Sequence, residues 1–178
     1  MWCSRSIPAL VALAFLAPAG TALAADVAAR SGVELVSAAA DAWADDARLV
    51  WIENDTALDA EGRAAQWGYL YYSPEKHAMR SWSVRDAQIV AAVDHTVSAE
   101  APALDADWQD SGEIVAHAWN EGGREFCATG GTLAHLVLVR GVFAPEPAWC
   151  AVFDRGAGPS LYVLLDAKSG AVKKRWRG

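Results

Sequence analysis

Four histidines, His77, His95, His117 and His135, are the side chains best suited to metal or general-base chemistry at neutral pH. No two of them have the H-x-x-x-H or H-x-x-E-H spacing that puts a ligand pair on one helix face. Each therefore reads as a solvated or hydrogen-bonded histidine. The acid-rich stretch Asp105-Ala-Asp107-Trp-Gln-Asp110-Ser-Gly-Glu113 invites a calcium loop. Such a loop needs Gly at its sixth position and a bidentate acid at its twelfth. Counted from Asp105, those places hold Asp110 and Ala116, so the stretch reads as linker and helix cap. There is no G-x-S-x-G elbow, and Gly158-Pro159-Ser160 lacks the strand, turn and helix that would expose a reactive hydroxyl. Gly130-Gly131-Thr132 stands between a helix and a strand, the reverse of a phosphate-binding loop. Asn54-Asp55-Thr56 matches a glycosylation sequon. No catalytic residue, cofactor ligand or metal ligand is assigned, and no cofactor is expected.

Tryptophan and cysteine carry the remaining signal. Nine tryptophans are present. Periodic placement points Trp43, Trp67, Trp119 and Trp149 into a core, where aromatic side chains bury most area. Trp82, Trp108 and Trp176 are less constrained and are the candidates for a binding surface, since Trp also anchors interfaces. Cys127 and Cys150 follow a helix and occupy a strand respectively, and in an exported chain such a pair is expected to form a disulfide.

That export is itself read from residues 1–24. A single Arg5 precedes the apolar run IPALVALAFLAPAG, which closes on Ala22-Leu23-Ala24. This is the pattern of a secretory signal peptide cleaved after Ala24. The run is too short for a membrane span and is interrupted by Pro8, Pro18 and Gly20, so no membrane anchor is expected. Cys3 leaves with the leader. The expected location is periplasmic or secreted. The leader removes one Arg and no acid, so the chain's formal charge of −7 becomes −8. An acidic surface repels nucleic acid and anionic lipid. The basic cluster Lys173-Lys174-Arg175 with Arg177 reads as a charged strand that discourages edge pairing.

The elements that must position these residues follow from periodicity. Val36, Ala39, Ala40, Trp43 and Ala47 form one helical stripe. LVWIEN (49–54), QWGYLYYS (66–73) and AMRSWSV (78–84) read as strands. In the second half, Asp110 and Glu113 form a capping box before a helix carrying Ile114, Val115, Ala118 and Trp119. LAHLVLVRG (133–141), AWCAVFD (148–154) and LYVLLD follow as strands. Asp166 and Gly170 then supply a tight turn. The expected organisation is α+β, with a first αβββ half over 25–97, a linker over 98–110 and a second αβββ half over 111–178.

LLDAKSGAV at 164–172 resembles the hairpin of PepSY-like domains of exported bacterial proteins, a fold of the PepSY/cystatin type. The resemblance covers mainly residues 111–172. It implies an extracytoplasmic, non-enzymatic module that binds or inhibits another protein or peptide, and it lends no catalytic residues. The alternative is a small extracytoplasmic hydrolase or isomerase with a pocket in an α+β cup. A histidine hydrogen-bonded to Asp or Glu inside a concavity would favour that alternative.

Overall fold

The structure is a computed structural model, and it describes residues 25–96 and 100–178. The signal peptide expected over 1–24 lies outside the described residues. A 3₁₀ turn, Ala29–Gly32, runs directly into α1, Val33–Trp43. Strands β1 (Arg48–Asn54), β2 (Gln66–Ser73), β3 (Ala78–Arg85) and β4 (Gln88–Thr96) follow as a meander. Helix α2, Ser111–Ala118, begins with the expected capping box, in which Asp110 Oδ1 accepts from Ser111 N at 2.7 Å and Glu113 Oε2 from Asp110 N at 3.2 Å. A π-turn at Trp119–Gly123 kinks the chain into α3, Arg124–Ala128. Gly122 takes φ +102° there, a conformation open to glycine at little cost. Strands β5 (Thr132–Val139), β6 (Ala148–Asp154), β7 (Leu161–Asp166) and β8 (Val172–Arg177) complete the fold.

All eight strands belong to one sheet, ordered β4-β3-β2-β1-β5-β6-β7-β8. This corrects the expectation of two tandem αβββ repeats. QIVAAVDHT at 88–96 adds a strand that periodicity missed, and no boundary divides the strands, because β1 and β5 pair antiparallel at the middle of the sheet. The linker is also more than a tether. Leu104 N donates to Leu49 O and Gln109 N to Ala167 O, while Trp108 is buried.

Both helical segments cover the same face. One apolar cluster joins Val36 and Ala40 of α1 and Ile114, Val115 and Ala118 of α2 to the sheet side chains Ile52, Trp67, Tyr69, Tyr71, Trp82, Leu136, Leu138, Trp149 and Phe153. Trp67 and Trp149 are fully buried, as expected. Trp43 and Trp119 are only half-buried, lying edge-on to Trp82 and Phe153 with centroids 5.9 and 5.1 Å apart. The alternate side chains point to a second face that no helix among the described residues covers. A smaller cluster of Ala148, Cys150 and Leu164, flanked by Tyr162 and Trp176, lies on that face beneath the β5–β6 loop.

Candidate functional site

The uncovered face forms a groove across the first four strands. Strand alternation turns Trp51 and Glu53 of β1 outward, with Asp55 just beyond the strand end. Register then sets their neighbours: Leu70 opposes Trp51, and Gly68 opposes Glu53. On β3, Ser81 lies opposite Leu70 and Ser83 opposite Gly68, with Met79 two positions back. His95 of β4 closes the far wall. The concavity measures about 480 Å³. Because glycine contributes no side chain, the floor drops at position 68, where a Cβ would stand 2.7 Å from Asp55 Oδ1.

One histidine is placed for chemistry. His95 Nε2 lies 2.8 Å from Ser81 Oγ, within reach of a proton transfer between them. No described residue hydrogen-bonds the other ring nitrogen. The adjacent acid, Asp94, faces across the sheet and pairs with Arg80 at 3.2 Å. No histidine among the described residues is hydrogen-bonded or ion-paired to Asp or Glu, so the geometry that would favour the hydrolase alternative is not found there. The other histidines lie apart: His77 in the β2–β3 turn with φ 48°, His117 exposed on α2, and His135 exposed on β5.

A second feature adjoins the groove. Among the described residues β4 ends the sheet and pairs on one side alone, with β3. All nine of its residues are exposed, and Ile89, Val90 and Val93 expose 36%, 44% and 51% of their surface. Val90 is the extra residue of a bulge, since Ser83 opposes Ala91 and Val84 opposes Ile89.

The surface tryptophans expected from sequence need correction. Trp82 is 4% exposed and Trp108 6%. Trp82 packs edge-on to Tyr71 and Trp43, and Trp108 edge-on to Trp149 beneath the Arg30 guanidinium, whose Nη2 donates to the Trp108 carbonyl. Both are core, because the faces they occupy are the ones the helices cover. Trp176 stays on the uncovered face, stacked on Tyr162 at 5.0 Å with Lys174 above its ring. The disulfide is likewise overturned. Cys127 packs against the helix-side cluster and Cys150 lies in the cluster of the opposite face, so the sheet separates the two free thiols. Burial pushes the Cys150 thiol up to about 11.

Asn54 of the sequon is 8% exposed and engaged with β5. Its Nδ2 donates to Ala134 O at 3.1 Å and its Oδ1 accepts from Leu136 N at 2.8 Å, so the amide has no room for a glycan. Of the acids in the 105–113 stretch, Asp105 lies near Arg140 at 3.7 Å and Asp107 pairs with Lys168, while Asp110 and Glu113 form the cap of α2. No group of three or more His, Cys, Asp or Glu suited to a metal occurs among the described residues.

Neither a protein-family model nor a curated protein sequence matches the chain. The resemblance to PepSY-like domains thus gains no support beyond its turn. Among solved structures, the chain is similar to a protein of Clostridium difficile 630 described as a "putative lipoprotein". The two share 12% identity with a TM-score of 0.58, over 82% of this chain and 91% of that one. At that identity the likeness is one of fold. No helix among the described residues is long and apolar enough to cross a membrane.

Proposed function

We propose that the protein is an exported, non-enzymatic binding module that captures an extended segment of another protein along β4. The observation that carries this reading is the contrast between the two edges of the sheet. β8 bears Lys173, Lys174, Arg175 and Arg177, the charged side chains that keep an edge from pairing. β4 bears no Lys, Arg or Pro, and Ile89 to Val93 is a continuous apolar run. Such a run is typical of a strand buried on both faces, yet here every residue is exposed. Free ladder groups beside apolar side chains are what an added strand recognises. A second copy of the chain is the weaker occupant, because each copy carries a formal charge of −7 and like charges repel. The leader read over residues 1–24 and the fold shared with a protein described as a "putative lipoprotein" support an extracytoplasmic setting. The PepSY resemblance implies the same binding or inhibitory class.

The test pans a displayed library of random peptides against the protein and follows amide exchange in β4 as selected peptides are added. Binding should slow exchange of the outward amides of β4, and Val90→Lys, which places a charge on that edge, should abolish it. Peptides that bind without protecting β4 would overturn the reading. So would β4 amides already protected in the free protein in a concentration-dependent way, which would assign the edge to a second copy.

A further inference from the structure

The groove holds two carboxylates that no cation among the described residues neutralises. Several acids elsewhere in the fold have cationic partners: Asp94 has Arg80, Asp59 has Arg63 at 2.8 Å, and Asp166 has Lys173 at 3.0 Å. Glu53 and Asp55 occupy alternate positions, about 7 Å apart along an extended chain, and no Lys or Arg among the described residues forms an ion pair with either. Asp55 accepts from Gln66 Nε2 at 3.0 Å. The next row of the same concavity is mainly aromatic and aliphatic, with the half-buried Trp51 beside Leu70 and Met79 beyond, and the Ser81–His95 pair on its far wall. One end is anionic and the other largely apolar, in a space within the range of small-molecule sites.

Ligand classes can be sorted against that lining. An anion meets two like charges. A neutral apolar molecule desolvates the carboxylates without giving them a partner, which is costly. A hard metal ion needs more converging oxygens than two. An ammonium or guanidinium on an apolar stem satisfies both ends, with its head between Glu53 and Asp55 and its stem along Trp51, whose ring face attracts cations. We propose that this groove binds an organic cation, an ammonium or guanidinium carried on a short apolar stem. A free amine and a Lys or Arg side chain of a peptide share this chemistry. The groove adjoins the β4 edge through His95, but the groups proposed to hold the cation, Glu53, Asp55 and Trp51, lie on or just beyond β1.

The experiment titrates the protein with agmatine, acetylarginine amide and acetylcitrulline amide at low salt, following the Trp51 indole N–H by NMR. Citrulline keeps the shape of arginine and removes its charge. The two cations should move the Trp51 resonance, and the citrulline compound should bind at least ~10-fold more weakly, as expected when a charge-assisted hydrogen bond is lost. Glu53→Gln should cost a similar factor without changing the melting temperature, and added salt should weaken binding. Tighter binding of agmatine assigns the site to free amines; tighter binding of acetylarginine amide assigns it to peptide side chains. Val90→Lys should leave all of these unchanged, which separates this site from the edge. Equal affinity for the citrulline compound, full affinity in Glu53→Gln, or an unmoved Trp51 resonance would overturn the proposal.

Discussion

At Asn54 a single side-chain amide does the work of a peptide group. The β1–β5 ladder runs out at Glu53 opposite Val137, just where β5 shifts register between Leu133 and His135. Asn54 bridges the gap by bonding to both Ala134 O and Leu136 N. Asn54→Leu should therefore destabilise by about 1–3 kcal/mol, the cost of leaving buried backbone groups without partners, as measured by urea unfolding. The sequon pattern in Asn54-Asp55-Thr56 was legible and its use was not, because the motif cannot tell whether its amide is already taken by a neighbouring strand. The cysteines teach a related lesson. Sequence placed Cys127 after a helix and Cys150 in a strand, but which face Cys150 takes depends on register. Thiol counting on unfolded, non-reduced protein should give two free thiols. In the folded protein the half-buried Cys127 should react well before Cys150, whose thiolate is suppressed by burial.

Turns and caps were the most legible elements, since their chemistry is local. Asp166 Oδ1 accepts from Lys168 N at 3.1 Å and Ser169 N at 2.9 Å, and Gly170 takes φ +69°, as the DAKSG pattern dictates. Gly170→Ala should cost more than the ~1 kcal/mol of the left-handed conformation alone, because a Cβ there would meet His117 Cδ2 at 2.6 Å. Thermal melts of Gly170→Ala and of Lys168→Ala, an exposed neighbour, give the comparison. β4 escaped notice for the opposite reason. QIVAAVDHT has no alternation, so its strand character comes from pairing with β3 across Asp86 and Ala87, both at positive φ without a glycine to announce the turn. The groove was unreadable in consequence: Trp51, Glu53 and Asp55 could be given a face, but their neighbours on β3 and β4 follow from pairings the sequence does not display.

Over the whole molecule, the helix starts and most strands are where periodicity puts them, but α1 stops at Trp43, short of Ala47, the second helix kinks at Trp119–Gly123, and the assembly differs. Local periodicity fixes which residues face a core; it is silent on whether two sets of strands share a sheet. Aspartates that tie turns together give the molecule a common acid response. Hydrogen bonds from Ser73 and Glu75 lower the Asp46 pKa, those from Ser160 and Gly156 lower Asp154, and the Lys173 ammonium, with bonds from Ser169, holds Asp166 down to about 2. A carboxyl depressed in the folded state stabilises above its unfolded pKa, and that contribution is lost as pH falls toward the folded value. Stability should thus decline between about pH 4 and pH 2, from the ordinary Asp value of about 3.9 to that of Asp166. The Asp46→Asn, Asp154→Asn, Asp166→Asn triple variant should show a flatter melting curve across the same window.

The seam between β1 and β5 also bears on how fast the chain reaches this state. Every other strand pairing joins neighbours in sequence, so the meanders β1 to β4 and β5 to β8 can zip from their turns. The Asn54 bonds span 80 and 82 positions, so two segments far apart in the chain must meet before they can form. Closing so long a loop is the entropic bottleneck that slows proteins rich in distant contacts. Asn54→Leu should accordingly slow refolding if the seam forms in the transition state, and speed unfolding alone if it forms afterwards, so a stopped-flow chevron locates the seam on the folding path.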